Sequence, residues 1–109
     1  MLAGKLDRRI SIERASTAQD DTGQEIETWL PVATVWASWR RASARETLAA
    51  AEIAAEVTDV FDIRWSYLVA EINPKDQIIF DGRTYDISAV AEIGRREGMQ
   101  IAAVARADG

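Results

Sequence analysis

Ile78-Ile79-Phe80-Asp81-Gly82-Arg83-Thr84-Tyr85-Asp86-Ile87 decides the fold of this 109-residue chain. Asp81-Gly82 is a two-residue turn signal. Both central positions of a type I′ turn need positive φ, which Gly accepts freely and Asp tolerates. Folding the flanks back pairs Phe80 with Arg83, Ile79 with Thr84 and Ile78 with Tyr85. Side chains alternate between faces along a strand. One face of the hairpin then carries Ile78, Phe80, Tyr85 and Ile87, and the other Ile79, Thr84, Asp86 and Ser88. Only this register gathers the apolar set on one side. A lone hairpin is not stable in water, so other strands must cover that face.

The chain supplies them. Ile10 and Ile12 alternate with Arg9, Ser11 and Glu13, as in a half-buried strand. Residues 25–30 form a second strand with Ile26, Thr28 and Leu30 on one face. Pro31, which cannot donate to a ladder, marks a bulge or a break after it. Residues 34–41 form a third, with Val35, Ala37 and Trp39 on one face and Trp36, Ser38 and Arg40 on the other. A tryptophan on each face means that the sheet is covered on both sides there, by core, helix or subunit contact. Residues 59–65 place Phe61, Ile63 and Trp65 inward and Val60, Asp62 and Arg64 outward. Met99, Ile101 and Ala103 share the inner face of a last strand, and residues 106–109 fray. The expected fold is mainly β: a small antiparallel β-barrel of about seven short strands with one inserted α-helix.

The helix spans residues 44–56. Ser43-Ala44-Arg45-Glu46 is a capping box, in which Ser43 accepts from the Glu46 N–H and the Glu46 carboxylate accepts from the Ser43 N–H. An alanine-rich run follows. Arg45, Glu52 and Glu56 project on one narrow strip, with Leu48 and Ile53 to either side. So wide an apolar surface suggests burial on two sides, one against the barrel and one against a partner. The plainer reading is an ordinary covering helix. Residues 15–24 (ASTAQDDTGQ) read as a long polar loop. Asp20-Asp21-Thr22-Gly23 lacks the alternating oxygen ligands and distal Glu of a calcium loop. Gly94-Arg95-Arg96-Glu97-Gly98 is a second turn.

One domain, residues 1–109, fits the length. The chain is 48% hydrophobic and 28% charged, as folded domains are. It has no cysteine, which excludes disulfides and thiolate metal sites. It has no histidine, which removes the commonest general base and the commonest metal ligand. No apolar run approaches the ~20 residues that cross a bilayer, and no apolar core follows Met1-Leu2-Ala3-Gly4-Lys5 as a signal peptide requires. The net charge of −5 does not suit a surface that grips nucleic acid throughout. The carboxylate pairs Asp20/Asp21, Asp59/Asp62 and Asp81/Asp86 read as turn, outward or solvated positions without an apolar shell to raise a pKa. The expectation is no enzyme, no catalytic residue, no metal and no cofactor. A nucleic-acid- or protein-binding β-barrel module is the rival; its aromatic and basic candidates are Trp36, Arg40 and Arg41.

Taken together, the ordered pieces resemble the bacteriophage head–tail joining family, also called head-closure or stopper proteins. The resemblance runs from Gly4-x-Leu6-x-x-Arg9-Ile10-x-Ile12 through Asp21-x-Gly23, Trp29, Thr34-Val35-Trp36-Ala37 and Glu46. It ends with Phe61-x-Ile63-Arg64-Trp65 and Ile78-x-Phe80-Asp81-Gly82-Arg83-x-Tyr85-x-Ile87-x-x-Val90. Trp65 stands where the family more often has tyrosine. The resemblance implies a virion neck protein of a phage or gene transfer agent, assembled in the bacterial cytoplasm. It implies a homo-oligomeric ring, of six or twelve copies, between a portal adaptor protein and a tail terminator or tail tube protein. DNA would pass through the channel without sequence-specific binding, with no membrane involved. On that reading Trp36, Trp39, Arg40, Arg41, Leu48 and Ile53 are candidates for ring or neighbour contacts. Asp20, Asp21, Gly23, Arg95 and Arg96 are candidates for a channel or docking loop.

Overall fold

The computed structural model describes residues 5–107. Gly4, where the resemblance opens, and Asp108 and Gly109 at the end lie outside the described residues. Six strands and one helix follow in the order β1 (Arg8–Gln19), β2 (Glu25–Arg41), α1 (Ala44–Glu52), β3 (Asp59–Arg64), β4 (Asp76–Phe80), β5 (Arg83–Ile93) and β6 (Gly98–Ala105). The strands close an antiparallel barrel in the order β1-β2-β3-β6-β5-β4. The Asp81-Gly82 hairpin has the expected register, Phe80 opposite Arg83 and Ile78 opposite Tyr85. Both turn residues have positive φ, 52° and 75°, as a type I′ turn requires.

The barrel interior holds the apolar faces read from the alternation. Ile10, Ile12, Phe61, Ile63, Ile78 and Ile101 are fully buried. Phe61 meets Phe80 and Tyr85 edge-on at centroid distances of 5.6 and 5.4 Å, the geometry that ring quadrupoles favour. Val69 and Ile72, in the connection between β3 and β4, are also buried and join this core. The connection turns through hydrogen bonds from the Val69 N–H to the Ser66 carbonyl and from the Ile72 N–H to the Val69 carbonyl.

The described residues form six strands rather than seven because the second and third expected strands are one. Pro31 sits opposite Glu13 and Ala33 opposite Ile12, so Val32 is an extra residue, a bulge in the β1–β2 ladder. A bulge bends a strand without ending it, and β2 runs unbroken for 17 residues. The expected loop over residues 15–24 is also corrected. Residues 15–19 stay in β1 and pair with residues 25–29 of β2; only residues 20–24 turn. Beyond Arg14, the last residue of β1 paired with β4, the two strands continue as a free ribbon. Six residues at ~3.3 Å each carry it about 20 Å out. The chain's radius of gyration is 14.8 Å and its longest extent 49 Å, against roughly 13 Å expected for a compact chain of this length.

The helix ends at Glu52, four residues short of expectation. Ile53 is the C-cap and Ala54 turns left-handed at φ 57°. The Ala54 N–H reaches the Ala51 carbonyl and the Ala55 N–H the Ala50 carbonyl, the paired bonds of a Schellman ending. The C-terminus is tied rather than frayed at Arg106, whose N–H donates to the Thr84 carbonyl and whose side chain meets Asp86 and Gln77.

Phe61→Ala opens a cavity at the centre of the aromatic cluster. It lowers stability by about 3–5 kcal/mol, measured as a fall in urea midpoint with an unchanged slope.

Candidate functional site

Three features stand outside the barrel. The first is α1. Its capping box forms as expected: the Glu46 N–H donates to Ser43 Oγ at 3.2 Å and the Ser43 N–H to Glu46 Oε1 at 2.9 Å. Arg40 on β2 adds two bonds to the same carboxylate, at 2.7 and 2.8 Å. These bonds, led by that from Arg40, hold the Glu46 carboxyl at about 2. Arg40 is therefore committed to seating the helix. None of α1's residues is buried. Leu48 is 67% exposed and Ile53 79%. Between α1 and the barrel wall lies an apolar cavity of about 300 Å³ whose lining includes Ala49, Ile53, Val57, Val60 and Ala102. Ser88, the extra residue of a bulge in β5, closes one end of this region by donating to the Glu56 carbonyl at 2.6 Å.

The second feature is the ribbon formed by residues 15–30. Ala18 faces Ile26 and Ser16 faces Thr28 across one side; Ala15 faces Trp29 and Thr17 faces Glu27 across the other. Ile26 and Leu30 are about half exposed, at 47% and 50%. At the tip the Asp20 carboxylate accepts from the Thr22 hydroxyl at 2.7 Å and from the Thr22 and Gln24 N–H groups, each at 2.9 Å. These bonds lower its pKa. Asp20 thus shapes the turn, Gly23 supplies φ of 84°, and Asp21 is exposed.

The third is the outer wall of β1, β2 and β3. Arg9 lies opposite Trp36, and its guanidinium sits 4.8 Å from the indole centroid. Arg64 and Ser66 join them around a cavity of about 600 Å³ that also includes Leu6, Thr34 and Val35. Trp36 is 53% exposed. Arg96 stacks on Trp65 at 4.9 Å and on Tyr67 at 5.9 Å, and Trp65 in turn packs against the core. Arg95 is exposed on the same turn. The structure does not join Trp36 to Arg40 and Arg41, as the sequence grouped them. Arg40 holds Glu46, and Arg41 lies 4.0 Å from Asp59. Trp39 belongs to its own barrel: its Nε1–H donates to Asp59 at 2.8 Å and its ring tilts against Phe80 at 5.6 Å.

The Asp59/Asp62 pair departs from expectation. Both residues are buried. Asp59 is satisfied by Trp39 and by the Thr58 hydroxyl at 2.6 Å. Asp62 points outward from β3, but the region under α1 covers it. Burial pushes its pKa up, against a hydrogen bond from Gln100 and the nearby Arg40 charge. Its Oδ1 has no hydrogen-bond partner. Among the described residues, no group of three His, Cys, Asp or Glu side chains converges as a metal site would.

The profile of phage head completion proteins matches residues 1–106. The chain belongs to the phage head completion protein family. The solution structure of protein SF1141 from Shigella flexneri 2a superposes with a TM-score of 0.81 at 27% identity, covering 100% of both chains. A chain in the virion of a native gene transfer agent particle superposes with a TM-score of 0.59 at 19% identity, covering 93% of this chain and 94% of that one. Among curated protein sequences, none matches. The family and the barrel agree with the resemblance read from the sequence.

Two outcomes follow from the electrostatics. Glu46 has a depressed folded pKa, so its contribution is present above its ordinary 4.5 and lost as pH falls towards about 2. Amide protection in α1 falls through that window while the barrel strands stay protected, and Glu46→Gln lowers it above the window, the difference from the parent vanishing as pH approaches about 2. Asp62 is the opposite case. A raised carboxyl pKa binds its proton more tightly in the folded state, so stability drops as pH rises through the shifted range. Asp62→Asn raises Tm by about 2–5 °C at pH 7, and the gain shrinks at acid pH.

Proposed function

We propose that this chain is a structural connector of a phage or gene-transfer-agent particle. Copies of it form a ring at the neck, between a portal adaptor and the tail, that closes the DNA exit after packaging and offers the surface where the tail docks. The observation that carries this reading is α1. A nine-residue helix is too short to be stable alone in water, yet none of its residues is fully buried on its own barrel, and only Glu46 and Ala50 are half-buried. Its exposed Leu48 and Ile53 are accounted for if a neighbouring subunit covers them. Trp36 and the Arg95–Arg96 turn offer further contact surface. The family membership and the fold shared with a virion chain support the particle location.

No reaction is needed for this role. The barrel is a rigid wedge, and the work is done by surfaces that match their neighbours. The acidic balance suits a channel that DNA slides through rather than adheres to.

Particles assembled without this chain have filled heads that leak DNA and lack tails under electron microscopy, and supplying the chain restores tailed particles. Ile53→Asp fails to restore them while its circular dichroism and Tm match the parent. Tailed, sealed particles in the absence of the chain would exclude the connector role. Unfolding of Ile53→Asp would return α1 to the plain status of a covering helix.

A further inference from the structure

The charge of this chain is unevenly placed. Residues 15–30 contain Asp20, Asp21, Glu25 and Glu27 and no Lys or Arg, so the ribbon alone carries −4 of the net −5. Two paired strands without a third partner or a covered face are marginal in water, and this ribbon leaves Ile26 and Leu30 half exposed. It is an arm that needs a surface, and its charge excludes DNA as that surface.

The outer wall of β1–β3 has the complementary chemistry. The cavity beside Trp36 has Arg9 and Arg64 in its lining and, among the described residues, no carboxylate. Trp36 supplies a half-exposed apolar face. The ribbon face that carries Glu25, Glu27 and Trp29, opposite the face of Ile26 and Leu30, sets carboxylates against the arginines of the wall and an indole against Trp36.

The arm cannot reach the wall of its own chain. Arg9 and the turn at Asp20 lie on one continuous strand, eleven residues and roughly 35 Å apart. We infer that the acidic β1–β2 arm of one copy docks on the Arg9–Trp36–Arg64 wall of the next copy. The two surfaces differ, so the contact is heterologous, and repeating it turns the chain into a ring if the rotation closes. This inference rests on the connector reading and names the contact that joins its subunits.

The test exchanges the charges. One full-length variant carries Glu25→Lys and Glu27→Lys; the other carries Arg9→Glu and Arg64→Glu. Circular dichroism first establishes that both fold. By sedimentation velocity the parent self-associates at about 50 mM salt and dissociates towards about 500 mM, as screened charge contacts do. Each variant alone self-associates about tenfold or more weakly, because like charges now face each other. Mixed one to one, the two variants recover association, since the lysines placed at the arm's contact face in one meet the glutamates placed on the wall of the other. A monomeric parent at low salt, or a mixture no better than its components, overturns the inference. So does an Arg9→Glu/Arg64→Glu variant that associates normally but loses retention of duplex DNA in a gel, which would assign the wall to nucleic acid. The connector reading fails separately, through tailed particles made without this chain.

Discussion

The barrel closes through one seam, the pairing of Ser11–Arg14 on β1 with Asp76–Ile79 on β4, and a single ion pair locks its end. Arg14 donates to both oxygens of Asp76 at 3.0 and 3.1 Å. The Asp76 side chain is wholly buried and accepts a further bond from the Asn73 N–H at 3.2 Å. Arg14 also reaches the Glu71 carbonyl at 3.4 Å. One side chain thus ties β1 to β4 and to the connection that carries Val69 and Ile72 into the core. A buried carboxylate that loses its partner costs several kcal/mol, so this seam specifies register as well as closure. Arg14 is also the point at which β1 leaves the barrel, and the arm takes its direction from the seam.

Everything outside the barrel hangs from it by few bonds. α1 is held by its capping box, its Schellman ending and the Arg40–Glu46 pair, and it contributes no buried side chain. The arm has only its own ladder beyond Arg14. Local stability follows buried apolar contacts, so these two elements are the least stable parts of a body whose core is fixed. That division suits a subunit whose contacts are completed by neighbours. The barrel fixes the positions from which α1 and the arm project. A chain that spent its apolar residues on seating α1 would have less to offer a partner.

The sequence showed what periodicity can show. Ile78, Phe80, Tyr85 and Ile87 had to share a face, and the Asp81-Gly82 turn left one register to do it. Ser43 and Glu46 announced the start of α1 through a capping box that needs no tertiary information. The β2 half of the arm was legible from Ile26, Thr28 and Leu30, but its β1 half was not, because residues 16–19 meet water on both faces. Ser16, Thr17 and Gln19 have no apolar alternation to reveal a strand, and their neighbours Asp20, Thr22 and Gly23 are true turn residues. Pro31 hid the continuity of β2, since a bulge and a break read alike. Val69 and Ile72 enter the core from a connection without a repeating pattern. Asp62 lies on the outward face as alternation requires, yet outward here means beneath the region between β3 and α1.

The same limits explain the surfaces. Trp36, Arg40 and Arg41 are neighbours in sequence, and grouping them treated that stretch of β2 as one site, although Arg41 alternates to the face opposite Trp36 and Arg40. The structure divides the stretch by what each partner strand and helix brings to it. Glu46 takes Arg40 and Asp59 approaches Arg41. Trp36 is left with Arg9 from β1 and Arg64 from β3, which sequence separation had hidden. Cross-strand register is what assembles a site on a barrel wall, because residues far apart in the chain stand side by side across a ladder. A wall built in this way has a fixed pattern of charge and apolar area on a stiff support. It is suited to recognising a matching surface, and its arginines and indole hold no group poised for proton or nucleophile chemistry.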